Sequence, residues 1–145
     1  MRKKGNTILF ILIALALFAI VIGYLVWNKS HFDVRDADAV KTDAIALYNS
    51  FMSDSAKANS AFLNKVVQVS GLVQDVSVNQ QQQQIILLKT AVPGASVNCT
   101  MEQKSNKIKQ GDKVVIKGIC SGYIGGDTEM GIPGDVVLIR CYPST

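Results

Sequence analysis

The chain has 145 residues, a net charge of +4 and 48% hydrophobic residues, which bounds it at about one domain. Arg2, Lys3 and Lys4 carry three of the four excess charges, so the rest lacks the concentrated basic face of a nucleic-acid binder. The single histidine, His31, falls in a polar connector, which excludes the Ser-His-Asp and Cys-His arrangements that need a rigidly held base.

Residues 1–7 form a basic tail. The run from Ile8 to Trp27 then carries no charge and no proline. Its twenty residues would span about 30 Å as a helix, the thickness of a bilayer's hydrocarbon core. Tyr24 and Trp27 lie near its far end, where amphipathic rings favour the headgroup level. The segment reads as an uncleaved transmembrane helix. A cleaved signal peptide is the competing reading, but that calls for a shorter apolar region ending in small residues, and Tyr24-Leu25-Val26-Trp27 is bulky. The cations ahead of the run place the tail in the cytoplasm and the remaining chain outside.

A polar linker follows over 28–35, and residues 36–64 carry helical spacing. Val40, Ala44, Leu47, Tyr48 and Phe51 recur every three to four residues. Ser53-Asp54 marks a break and a new N-cap, after which Ala56, Ala58, Ala61 and Phe62 continue a second helical segment. From Val66 the period becomes two and β-branched residues dominate, which predicts a strand to Val78 with a bend or bulge at Gly71. Asn79 to Gln84 is a polar hairpin tip, and Ile85 to Leu88 the returning strand. Further strands are expected over 95–101, 114–119 and 136–142, with a lysine-rich connector at 102–109 and a glycine-rich loop at 122–135. Five short strands with an early bend fit a mainly β domain over 65–145, a Greek-key barrel of the OB type; an SH3-like barrel or a five-stranded sandwich also fits the pattern alone.

The residues also resemble a known family. Leu47-Tyr48-Asn49-Ser50-Phe51, Ala56-Lys57-Ala58-Asn59, Val67-Gln68-Val69-Ser70-Gly71-Leu72-Val73, Val97-Asn98-Cys99, the stretch 109–118 and the stretch 136–142 together resemble the tRNA_anti-like family. These are small OB-fold domains found in bacteria, some of them membrane-anchored. The resemblance implies an OB barrel in a bacterium; the membrane that the apolar run calls for is then the cytoplasmic membrane, and the outside of it the periplasm. It implies no catalytic residues.

The chemistry is sparse. No Walker loop, dinucleotide fingerprint or CxxC pair is present, so neither an enzyme, a cofactor nor a metal site is expected. The acidic loop over 122–135 is the one place where an oxygen-ligand metal enzyme would have to be built. Cys99, Cys120 and Cys141 fall on or near strands. In an OB barrel the third and fifth strands are parallel neighbours, so Cys99 and Cys141 are the first candidates for a disulfide; the other two pairings and three free thiols remain open. A ligand site is expected where the loops flank the barrel face, at Gln74, Gln82, Tyr123, Asp127 and Glu129. The expectation is a binding module of the cell envelope whose partner is a protein, a peptide or a glycan. The alternative is a single-stranded nucleic-acid-binding domain on the cytoplasmic side, which the absence of aromatics from the second and third strands disfavours.

Overall fold

The computed structural model describes residues 13–24, 33–127 and 129–144, and the chain divides into two compact units, residues 1–32 and 33–145. In the first, residues 13–24 are helical with exposed side chains, and the rest of the Ile8–Trp27 run lies outside the described residues. Among the described residues no helix is long and apolar enough to cross a membrane.

The second unit has six strands and two helices. They are β1 (Val40–Asp43), α1 (Ala44–Ser53), α2 (Ser55–Phe62), β2 (Val66–Val78), β3 (Gln84–Lys89), β4 (Ser96–Met101), β5 (Lys113–Ile124) and β6 (Asp135–Ser144). The strand order is β1-β2-β3-β4-β6-β5, and β5 returns to pair with β2. Strands β2 to β6 therefore close a five-stranded barrel of the OB type, as the alternating pattern predicts. Strand β2 makes the closure possible by bending. Its residues Val66 to Leu72 pair antiparallel with β5, and Val73 to Val78 pair with β3 across a register shift between Val73 and Asp75. The irregularity is thus at Gln74 rather than at Gly71. At Gly71 the start of α1 comes close, and an added Cβ would lie 3.1 Å from Cβ of Ala44.

Three expected boundaries are corrected. Residues 36–43 were expected to open a helix, but they form a turn and β1, which lies parallel to β2 with Val40 opposite Val67 and Asp43 opposite Ser70. Asp43 is the N-cap: its Oδ1 accepts from the Ala46 N–H at 2.9 Å, so helix begins only at Ala44. The strand β5 runs five residues past the expected Ile119, and the loop shortens to 125–134. A register shift between Cys120 and Gly122 lets Gly122 and Tyr123 continue the ladder opposite Val137 and Val136. The linker over 28–35 is also shorter than expected. Val34 is fully buried, the Arg35 guanidinium lies 5.0 Å over the Tyr142 ring, and Lys117 Nζ donates to the Arg35 carbonyl at 2.8 Å. Residues 33–35 belong to the barrel unit; 28–32 lie outside the described residues.

The core follows from these elements. Leu47, Tyr48 and Phe51 form one apolar face of α1 and are each 0–1% exposed among Val67, Val69, Ile86, Leu88, Val97, Met101 and Leu138 of the barrel. Each such side chain contributes about 1.5–3 kcal/mol, so α1 is part of the barrel's core. α2 adds Ala58 and packs Phe62 against Phe51, with ring centroids 6.2 Å apart.

A candidate binding cleft between the first helix and the last two loops

The expected site residues do not form one surface. Gln74 sits at the β2 irregularity and lines a cleft with Leu72, Lys89 and Gln110. Gln82 lies on the β2–β3 turn at φ 62°, a turn held by Asn79, whose Oδ1 accepts from the Gln83 N–H at 2.9 Å. Gln84, expected in the hairpin tip, is a structural residue of β3. Its amide bonds both ways with the Ser105 backbone, at 3.1 and 2.7 Å, and ties down the lysine-rich connector.

Tyr123 and Asp127 do come together. They line a cleft of about 380 Å³ whose other walls are Tyr48 and Met52 of α1, Val92 and Pro93 of the β3–β4 loop, and Gly125, Gly126, Gly131, Ile132 and Pro133 of the β5–β6 loop. Glu129 is exposed two residues beyond Asp127. Sequence reasoning missed Tyr48, Met52, Val92 and Pro93. The one available signal was Tyr48, a phenol on the apolar face of a helix, which needs a polar partner when buried.

The floor of the cleft is a tyrosine pair with one hydroxyl already engaged. Tyr48 and Tyr123 pack edge to face with ring centroids 6.1 Å apart. Tyr123 Oη accepts from the Gly134 N–H at 2.9 Å. Burial, together with the hydrogen bond to Tyr123, pushes the Tyr48 hydroxyl up to about 12. Asp135 accepts from the Ser96 N–H and from Ser96 Oγ, both at 2.8 Å, and so fixes the start of β6 on β4.

The rim is shaped by the β5–β6 loop. Asp127 Oδ1 accepts from the Glu129 and Met130 N–H groups at 2.8 and 3.1 Å, and Asp127 bridges Ile132 through both backbone groups. Gly126 has φ +89°, and a Cβ there would lie 2.8 Å from the Gly134 nitrogen, so only glycine fits that crossing. The loop in turn presents Met130 and Ile132, 71% and 54% exposed. Two larger grooves, between α1 and α2 and around Gln74, are lined mainly by small or polar side chains.

The cysteines lie elsewhere, in the core. All three are free and buried. Cys99 and Cys141, the expected disulfide pair, are neighbouring thiols: the hydrogen bond with Cys99, and then burial, push the Cys141 thiol well above its ordinary range. Burial also raises Cys120. Thiols held protonated in this way are poor nucleophiles. Among the described residues no group of three or more His, Cys, Asp or Glu side chains is placed to hold a metal ion.

A closed five-stranded barrel with a parallel β4–β6 pair places the molecule in the OB class of folds. The chain belongs to the tRNA_anti-like family, whose model matches residues 1–130. Among solved structures it is similar to one from Leishmania major Friedlin assigned as an aspartyl-tRNA synthetase, with 8% identity and a TM-score of 0.43; the match covers 81% of this chain and 22% of that one. The chain therefore corresponds to about a fifth of that protein. No curated protein matches the chain.

Proposed function

We propose that this protein is a non-catalytic OB binding module that takes an apolar side chain of a protein segment into the cleft between α1, the β3–β4 loop and the β5–β6 loop. The observation that carries this reading is the chemistry of the lining. Met52, Val92, Pro93 and Ile132 supply apolar walls, and the floor hydroxyl of Tyr123 is already engaged by Gly134. A glycan needs free hydrogen-bonding groups converging on it, and a nucleic-acid backbone needs cations. This lining contains no lysine or arginine. The apolar run Ile8–Trp27 and the cations before it support a single-pass anchor with the barrel outside the cytoplasm.

The test is a fluorescence-anisotropy titration of the full chain in nanodiscs with leucine-containing peptides and with oligothymidylate. The expected result is peptide binding that weakens when Ile132, which is exposed, is changed to Ser. Oligothymidylate binding that falls steeply with salt, with no peptide binding, would replace this reading by the nucleic-acid one.

A further inference from the structure

Resting on that reading, the cleft's charge narrows its partner. We infer that the site prefers a segment in which the apolar residue is flanked by lysine or arginine. The lining carries one carboxylate, Asp127, and no cation; Glu129 stands exposed on the same loop, two residues further on. Asp135, at the other end of that loop, faces Tyr48 closely enough to help raise its hydroxyl. Its Oδ1 is taken by the Ser96 N–H and Oγ and the residue does not line the cleft, so it adds field without offering a contact there. The two groups open to a partner are thus Asp127 and Glu129. Asp127 uses Oδ1 for the Glu129 and Met130 N–H groups, and a carboxylate has a second oxygen that can accept from an ammonium or guanidinium group. The apolar walls hold the anchoring side chain while the rim attracts the cation beside it and repels an acidic segment.

The charge can be removed without removing the loop. In Asp127→Asn the amide keeps an oxygen acceptor for the two N–H groups, and Glu129→Gln changes an exposed side chain. The experiment uses the full chain in zwitterionic nanodiscs and two labelled peptides of equal length, one with leucine between lysines and one with leucine between glutamates. The wild type is expected to bind the lysine peptide about fivefold more tightly, the scale of two exposed ion pairs. The D127N/E129Q variant is expected to bind both peptides alike, with unchanged thermal stability. Equal binding of both peptides by the wild type, or a preference that survives in the variant, overturns the inference and leaves the peptide-binding reading standing. Binding of neither peptide overturns both.

Discussion

Tyr48 shows what a single side chain has to reconcile. It is 1% exposed, yet carries a hydroxyl that must find a partner, and Tyr123 supplies it. The same burial makes its ionisation costly. A tyrosine whose pKa rises from 10.0 in the open chain to about 12 in the fold stays neutral, and fully compatible with the fold, below pH 10. As pH climbs from 10 through 12 the unfolded chain loses its proton first, so stability falls over that window. Urea unfolding of the full chain at pH 9 and pH 11.5 is expected to show this loss, and Tyr48→Phe is expected to reduce it. An alkaline loss of equal size in Tyr48→Phe would assign the effect to other groups.

At the level of elements, the β5–β6 pair carries the most local irregularity. Between Lys117 and Ile119 the register slips against Tyr142 and Ile139, and Arg140 takes φ 52°. The slip turns Cys141 back into the core after two exposed residues, Ile139 and Arg140. It also sets the Cys141 sulfur over Gly118, where an added Cβ would come to 2.5 Å. Gly118→Ala is therefore expected to cost about 1–3 kcal/mol through overpacking. Cys141→Ala should relieve much of that cost, and a double-mutant cycle by urea denaturation measures the coupling. Additive costs would mean that the strain arises elsewhere.

The same scale explains what the sequence could and could not disclose. Strand β2 was legible because its β-branched residues alternate, and β3, β4 and β6 because short apolar runs stand between turn signals. Strand β1 was hidden because Val40 and Ala44 fall at helical spacing, and Asp36 and Asp38 offer the same start signal as Asp43, the actual cap. The second half of β5 was hidden because Gly122 opens a glycine-rich stretch that reads as loop, although Cys120 and Gly122 are both buried where the strand faces the core. Half of the cleft was legible, in Tyr123 and Asp127 on a glycine-rich loop. The opposing wall was not, because Tyr48, Met52 and Pro93 reach it from two other elements, and only the closed barrel brings them there.

For the molecule as a whole, the barrel unit begins earlier than its first strand. The turn at residues 33–35 holds itself together, with Arg35 bonding both Asp33 oxygens and the salt bridge closing at 2.8 Å. That pairing is solvent-exposed and adds little to stability. The fully buried Val34 is the larger contribution. Val34→Ala is expected to cost about 2 kcal/mol, and Lys117→Ala under about 1 kcal/mol, as read from urea midpoints of the full chain. The reverse ranking would mean that polar contacts hold the turn.

This arrangement also fixes where a load would fall. Tension arriving along the chain ahead of Asp33 meets a knot of Val34, Arg35, Lys117 and Tyr142 before it reaches β1, which has only four residues. Without that knot, pulling would act first on β1, at the end of the sheet order, and on the helix that plugs the barrel behind it. With it, the strain is handed to β5 and β6, the long strands that also carry the cleft's loop. A load applied ahead of Asp33 would thus fall first on the contacts of Arg35 with Lys117 and Tyr142, at the opposite end of β5 and β6 from the loop that lines the cleft.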